Sequence, residues 1–115
     1  MLLTMLQNDL YTCQFLLSEN DRITARIRLV PTHWIFQAHF PSYPVVPAAV
    51  WAQIGQELLP VSQPITQLRN ARFLHVLQPD GQTELEMQAT FIDGVWRVSF
   101  ADNDRTYCKL EYRYG

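Results

Sequence analysis

The stretch HFPSYPVVPA, residues 39–48, decides how the chain is organised. Its three prolines, Pro41, Pro44 and Pro47, recur at every third position and stand directly before an apolar segment. Proline fixes φ and removes a backbone donor, so this stretch predicts a stiff loop. Pro47 suits the first turn of a helix, because its missing N–H would be unpaired there anyway. We therefore predict a largely buried helix from Pro47 to about Leu59, ending before Pro60.

The sequence on both sides of this helix is β-like. Alternating apolar and polar residues predict a hairpin over residues 10–29, with its turn at residues 18–21. After the helix, strands are predicted over residues 65–77, 84–92, 95–100 and 106–114, and Asp93-Gly94 is a strong signal for a two-residue hairpin turn. The order β-β-helix-β-β-β-β predicts an α+β fold, with one buried helix against a mainly antiparallel sheet.

Composition limits the possible classes of protein. A length of 115 residues, 48% hydrophobic and 17% charged, predicts one ordered domain spanning residues 1–115. The net charge of −2 gives no footprint for nucleic acid. The apolar stretch at residues 1–6 lacks a basic flank and is too short for a signal sequence or a membrane span. We therefore expect a cytoplasmic protein with neither a nucleic-acid partner nor a membrane span.

Two smaller patterns have a structural and a functional interpretation. Cys13 and Cys108 are expected to be free core thiols, since neither has a metal-type spacing; a catalytic cysteine would need a nearby base that the sequence does not offer. Arg22, Arg26 and Arg28 alternate along a strand and are expected to form its solvated face. The alternative for the arginines is a docking patch for an acidic partner.

The loop before the helix resembles a known family signature. His39, Phe40, Pro41, Pro44 and Pro47 match the spacing His-Phe-Pro-x-x-Pro-x-x-Pro-Gly of the 3-hydroxyacyl-acyl-carrier-protein dehydratases. Ala48 stands where that signature has glycine, which looks more like the ApeI-like branch that serves aryl-polyene pathways. The resemblance implies a hotdog fold, in which an antiparallel sheet wraps around one central helix. It also implies a dimer formed by pairing of sheets.

The same resemblance implies a reaction. Such a protein removes water from 3-hydroxyacyl thioesters carried by acyl carrier protein or coenzyme A, in fatty-acid or polyene-type lipid biosynthesis, and uses no metal or redox cofactor. His39 would be the base, as a side chain that titrates near neutral pH. The backbone N–H of Ala48, at the positive end of the helix dipole, would stabilise charge on the thioester oxygen. A helix carboxylate of the partner subunit would protonate the leaving hydroxyl.

The chain departs from the family at that carboxylate. Counting from His39 without gaps, the position of the acid is Gln53, which can hydrogen-bond but cannot supply a proton. Glu57 lies one helical turn further along and could serve instead. Three alternatives follow: Glu57 acts as the acid, Gln53 suffices alone, or the dehydratase activity is weak or lost.

Aromatic and proline residues around the motif are expected to bind the acyl chain. The candidates are Phe40, Tyr43, Pro47 and Trp51, because acyl sites are mostly apolar. Trp34, Phe36, Tyr43 and Trp51 have a simpler interpretation as core or dimer packing. His33 and His75 lack the motif's context and are expected to be structural or exposed.

Two other functions remain open at this point. One is a catalytically weak or inactive acyl-thioester-binding hotdog subunit that pairs with an active partner, which could donate the missing acid. The other is a hotdog thioesterase, in which a polar helix residue positions the attacking water. Gln53 fits the subunit hypothesis more easily than it fits an independent dehydratase.

Overall fold

A computed structural model of the chain describes residues 6–38, 42–61 and 63–114. The elements are β1 (Tyr11–Glu19), β2 (Arg22–Leu29), a 3₁₀ helix (Trp34–Gln37), α1 (Ala48–Leu58), β3 (Ile65–Phe73), β4 (Glu84–Ile92), β5 (Val95–Ala101) and β6 (Thr106–Tyr114). No helix within these ranges is long and apolar enough to cross a membrane.

The strands form a six-stranded sheet with the order β1-β2-β4-β5-β6-β3. Every adjacent pair is antiparallel, and β1 and β3 are the two edges. The predicted α+β architecture, with one helix against an antiparallel sheet, is therefore confirmed. The connection through α1 carries the chain across the sheet from β2 to the far edge at β3.

Local details agree with most of the predicted boundaries. Asp93 and Gly94 both have positive φ, 53° and 79°, as a two-residue hairpin turn between β4 and β5 requires. Pro47 is the N-cap of α1 and not its first helical residue, because its backbone is extended with ψ of 155°.

The predicted strand over residues 65–77 is too long. β3 ends at Phe73, because the next two amides, Leu74 and His75, both donate to the carbonyl of Tyr107 and turn the chain off the ladder. Leu77 is nevertheless buried, and its carbonyl accepts the N–H of Val46. The other two apolar residues that suggested a strand there, Leu74 and Val76, are exposed.

The inner face of the sheet carries the core. Ile23, Ala25, Ile27 and Leu29 alternate in β2 with exposed or half-buried polar residues, and the same period-2 pattern recurs in β4. Val50, Trp51, Ile54 and Leu58 form the apolar stripe of α1 that belongs to this core. The ring of Trp51 lies 5.0 Å from that of Phe100, centroid to centroid. Burial of this stripe explains why α1 is helical with few polar residues.

At Gly55, α1 lies very close to the sheet. A Cβ built on Gly55 would overlap the hydroxyl of Tyr112 on β6. That hydroxyl donates to the carbonyl of Ala52, at 2.7 Å. Tyr112 is fully buried, and burial raises the pKa of its hydroxyl far above the ordinary value, so it remains a donor. Glycine at position 55 thus sets how closely the helix can lie on β6.

We predict that Gly55→Ala destabilises the protein despite the better helix propensity of alanine. Propensity favours the change by about 1 kcal/mol, whereas overpacking of this kind costs about 1–3 kcal/mol. Urea unfolding measures the difference. The cost should be smaller in a Tyr112→Phe background, because the hydroxyl is then gone. Gln56→Ala, at an exposed position of the same helix, is the control. Equal stability of wild type and Gly55→Ala would show that the helix has room to move.

Candidate active site

The N-terminus of α1 lies at the end of the proline-rich loop. Pro47 provides no side-chain cap, and its carbonyl accepts the N–H groups of Val50 and Trp51. Among the described residues, the N–H groups of Ala48 and Ala49 have no backbone acceptor. These donors, together with the positive end of the helix dipole, form a place where negative charge on a ligand oxygen would be stabilised.

An open apolar pocket of about 260 Å³ lies beside this helix end. Its walls come from the start of α1 and from the segment that leaves β3, and they consist of Val46, Ala48, Trp51, Phe73, Leu74, His75 and Val76. Trp51 is 2% exposed and stacks within 6.1 Å of the Tyr107 ring, so the inner wall is rigid. The outer wall is exposed and apolar, because Phe73, Leu74 and Val76 all lie open to solvent. The pocket can therefore hold an apolar chain close to the N–H of Ala48.

Two of the predicted site residues, His39 and Phe40, cannot be placed. His39, Phe40 and Pro41 lie outside the described residues, so neither the predicted base nor Phe40 has a position in this structure. The flanks of the loop are fixed: the N–H of Val45 donates to Phe36, and that of Val46 donates to Leu77. Tyr43 is 56% exposed and does not line the pocket. Of the four predicted substrate-binding residues, Trp51 lies in the pocket and Pro47 caps the helix next to it.

The two remaining histidines have different environments. The side chain of His33 is 7% exposed; its Nδ1 accepts the N–H of Ile35, and its Nε2 lies 3.1 Å from Asp9. This pair fixes the neutral ring with its proton on Nε2 and ties the loop to the N-terminal segment. His75 is exposed and lines the pocket at the helix N-terminus. No sequence signal marked His75, because its position depends on the turn after Phe73.

Glu57 is the most heavily used side chain on α1. Its carboxylate accepts the backbone N–H groups of Leu6 (2.7 Å) and Gln7 (3.0 Å) and the hydroxyl of Tyr11 (2.9 Å). A fourth donor is the side-chain amide of Gln53, at 2.9 Å. Charge-assisted bonds of this kind are among the stronger ones in proteins. Glu57 thus anchors the N-terminal segment, whose Leu6 and Leu10 are buried, onto the helix.

Tyr11 contributes to the same network. Burial, then the nearby charge of Glu57 and the hydrogen bond to it, raise the pKa of the Tyr11 hydroxyl far above its ordinary value. The hydroxyl therefore stays protonated and donates at any working pH. A carboxylate whose oxygens already accept from four donors has little capacity left for a substrate hydroxyl.

Gln53 is half-buried and is oriented by Glu57. A carboxylate accepts hydrogen bonds only, so the group of Gln53 that faces Glu57 is the amide NH₂. The carbonyl oxygen of Gln53 is not used by this contact. Gln53 and Glu57 are both predicted site residues. Their hydrogen bond leaves the carbonyl oxygen of Gln53 as an acceptor for a further partner, but Gln53 has no acidic proton to donate.

Comparison with known proteins identifies the family. The model of the ApeI-like family, described as ApeI dehydratase, matches residues 16–111. This chain belongs to the ApeI-like dehydratase family. The resemblance inferred from residues 39–48 is thereby confirmed, including its ApeI-like branch. Among curated proteins, none matches the sequence.

Solved structures confirm the hotdog fold. The dehydratase heterocomplex ApeI:P from Xenorhabdus doucetiae aligns with a TM-score of 0.75 and 17% identity over 89% of this chain and 95% of that one. An uncharacterized protein from Erwinia carotovora subsp. atroseptica aligns with a TM-score of 0.65 and 14% identity over 90% of this chain and 92% of that one. At these identities the structural matches concern the fold, while the family assignment rests on the sequence model.

The two cysteines have no role in the pocket of this ApeI-like chain. Both are free, and Cys108 is fully buried in the core. Burial raises the pKa of the Cys108 thiol to about 12, so it stays protonated and unreactive. Cys13 is half-buried, and its thiol donates to the carbonyl of Phe15. The expectation of two free thiols is confirmed, although Cys13 is less deeply buried than a core position implies.

We predict that Glu57→Gln destabilises the fold and loosens the N-terminal segment. Loss of a charged acceptor for several donors should cost about 1.5–3 kcal/mol of unfolding free energy. Amide hydrogen exchange at Leu6 and Gln7 should also become faster. Chemical denaturation measures the change in unfolding free energy, and mass spectrometry measures the exchange. Glu19→Gln, at an exposed position, is the control and should stay within about 0.5 kcal/mol. Unchanged exchange at Leu6 and Gln7 would contradict the anchoring role.

Proposed function

We propose that this protein is the histidine-bearing subunit of a 3-hydroxyacyl-thioester dehydratase, and that a second hotdog subunit completes its active site. Its substrate is a 3-hydroxyacyl chain on acyl carrier protein or coenzyme A, in fatty-acid or polyene-type lipid biosynthesis. The observation that carries the proposal is the apolar pocket beside Ala48, whose N–H has no backbone acceptor among the residues that the structure describes. Membership of the ApeI-like family supports the class of reaction.

The proposed reaction needs three groups around the thioester. His39 removes the proton on the carbon next to the thioester carbonyl. The N–H of Ala48 donates to the carbonyl oxygen while negative charge develops on it, helped by the dipole of α1. The electron pair of the broken C–H bond forms the carbon–carbon double bond, and the 3-hydroxyl leaves. An acid protonates that hydroxyl, so the products are a 2-enoyl thioester and water.

The acid is the group that this chain does not offer on α1. Gln53 has no acidic proton, and the carboxylate of Glu57 is occupied by Leu6, Gln7, Tyr11 and Gln53. These contacts favour a partner that carries Asp or Glu at the position equivalent to Gln53. The solved ApeI:P structure is a dehydratase heterocomplex, which supports a mixed pair for this chain as well.

The edge strand β3 is the proposed place of contact with the partner. In the described sheet, β3 pairs with β6 along one edge and with no strand along the other. Unpaired strand edges favour pairing with another chain. Leu68 on β3 is 43% exposed, and Phe73, Leu74 and Val76 extend the apolar surface to the pocket. A partner at this edge would cover the open wall of the pocket. A homodimer would use the same edge but would place a second Gln53 where the acid belongs.

We predict that the purified protein alone hydrates a 2-enoyl thioester slowly, and that moving the carboxylate along the helix raises the rate. The double variant Gln53→Glu/Glu57→Gln keeps one carboxylate and one amide in the pair and puts the acid at position 53. General acid catalysis contributes about 10²–10⁴-fold, so a gain of at least about tenfold is expected. The rate is followed by loss of the enoyl-thioester absorbance.

Matched variants control this experiment. Gln56→Glu puts a carboxylate on the exposed side of the same helix and should give no gain. His39→Ala in the double-variant background should remove the gain. Full activity of the wild type alone, abolished by Glu57→Gln in protein that remains folded, would make Glu57 the acid and refute the need for a partner. Release of free thiol without hydration would favour the thioesterase alternative.

We predict that association depends on the β3 edge and not on the β1 edge. Leu68→Glu should weaken dimerisation at least tenfold, because a charge would be buried at the proposed contact. Leu17→Glu is the matched control, since Leu17 has a similar exposure of 46% but lies on the opposite edge. Sedimentation velocity over a range of concentrations, with and without an acid-bearing hotdog partner, measures both. Equal effects of the two substitutions would argue against β3 as the interface.

A further inference from the structure

Nearly all positive charge of the chain lies on one surface, the outer face of the sheet. Alternation and strand register put eight of the nine Lys and Arg residues there, namely Arg22, Arg26, Arg28, Arg69, Arg72, Arg97, Lys109 and Arg113. The ninth, Arg105, lies in the turn between β5 and β6. The chain as a whole has a net charge of −2, so the rest of the molecule carries an excess of negative charge.

Most of these cations stand opposite a carboxylate on the neighbouring strand. Arg22 lies opposite Glu19, Arg26 opposite Glu86, and Arg28 opposite Glu84. Arg69 and Arg97 flank Glu111 from both sides, with N–O distances of 3.2 and 3.8 Å. Cross-strand pairs of opposite charge are stabilising. This part of the face is therefore locally balanced.

Arg72 and Lys109 break the pattern. They are direct cross-strand partners, and the other neighbour of Lys109 is Ser99, so no carboxylate shares their row. Among the described residues, neither makes an ion pair. Like charges directly opposite each other in a sheet are destabilising. Glu111, two residues from Lys109 on β6, is already bound by Arg69, Arg97 and the side-chain amide of Asn70.

A bulge in β3 creates this juxtaposition. Arg69 and Arg72 are three residues apart, so a regular strand would point them to opposite faces. Their partners Glu111 and Lys109 are only two residues apart, because β3 holds one extra residue between them. Asn70 in this bulge has a φ of +51°, a conformation that is unfavourable for most residues. The irregular backbone thus brings a second unpaired cation next to Lys109.

The pair borders a concavity of about 490 Å³. Its lining adds a third cation, Arg97, the carboxylate of Glu111, which is paired with Arg97 and Arg69, and the polar side chains of Asn70, Gln88, Thr90 and Ser99. We infer that the Arg72–Lys109 concavity is a binding site for a phosphate group. It lies on the face of the sheet opposite α1, so it is separate from the apolar pocket at the helix N-terminus.

Phosphate fits this chemistry better than a carboxylate does. A phosphate monoester carries close to two negative charges and has three terminal acceptor oxygens. One such group can neutralise both unpaired cations, while hydroxyl and amide donors satisfy the remaining oxygen. Arginine binds phosphate with paired N–H donors, and lysine adds a compact charge. A carboxylate has a single charge and would leave one of the two cations unpaired.

We predict that inorganic phosphate binds the full chain and that the binding depends on both cations. Arg72→Gln and Lys109→Gln should each weaken it by about tenfold or more, since a charge-assisted bond to phosphate is lost. Titration is followed by amide chemical shifts. Phosphate should also raise the Tm of wild type and leave that of either variant unchanged. Because glutamine relieves the like-charge contact, both variants should fold at least as well as wild type in phosphate-free, low-salt buffer.

Arg113→Gln is the matched control. Arg113 lies on β6, as Lys109 does, and opposite the neutral residues Val95 and Gln67, but it does not line the concavity. This variant should bind phosphate as wild type does. Equal weakening by Arg113→Gln, or an equal effect of sodium chloride at the same ionic strength, would refute a defined site. Coenzyme A and phosphate-free pantetheine separate the sources of the group. If coenzyme A binds through Arg72 and pantetheine does not bind, the phosphate is part of a larger ligand. If inorganic phosphate binds and coenzyme A does not, the free ion is the ligand. If neither inorganic phosphate nor coenzyme A binds, the inference is overturned.

Discussion

The close contact of α1 with β6 at Gly55 is the constraint on which the rest of the structure depends. Tyr112 fills the space that a side chain at position 55 would occupy, and its hydroxyl binds the carbonyl of Ala52. With the helix held this close, Trp51 packs against Phe100 and Tyr107. The N-terminus of α1 is then fixed beside the segment that leaves β3. A helix at a greater distance would open the inner wall of the pocket and separate the N–H of Ala48 from it.

In the proposed reaction, the contacts of α1 give a reason why the acid would come from another chain. On the side of α1 where a dehydratase would need a carboxylate, this chain has a hydrogen-bonded pair, Gln53 and Glu57, that holds the N-terminal segment. Each oxygen of the Glu57 carboxylate already accepts two hydrogen bonds, whereas a general acid must carry a proton on one of its oxygens and present it to the substrate. One side chain cannot meet both requirements in the same state. Within a dimer this conflict is resolved if the acid comes from a different chain, which is why a mixed pair fits the residues better than a pair of identical subunits.

Much of the fold could be predicted from the sequence, and the reason is the period of the hydrophobic pattern. The alternation in β2 and β4 and the turn at Asp93-Gly94 are local signals, and the structure follows them. The end of β3 could not be predicted, because Leu74 and His75 leave the ladder for a distant carbonyl, that of Tyr107. For the same reason the position of His75 in the pocket could not be predicted. The role of Glu57 depends on partners about fifty residues away in sequence, so its identity as an anchor is a tertiary property.

The edge strand β3 links the two chemically distinct faces of the molecule. On its inner side Phe73 borders the apolar pocket, and on its outer side Arg72 borders the polar concavity. Because these two residues are adjacent, their side chains point to opposite faces of the sheet. The bulge at Asn70 decides which of the two faces inward. Without the extra residue, Arg72 would enter the apolar face and Phe73 would be solvated, and both outcomes are unfavourable. The strain at Asn70 is therefore compensated twice, by the apolar wall that Phe73 provides and by the removal of a guanidinium from that wall. The unpaired charge of Arg72 beside Lys109 is the remaining cost, and an anion on the outer face is what would offset it.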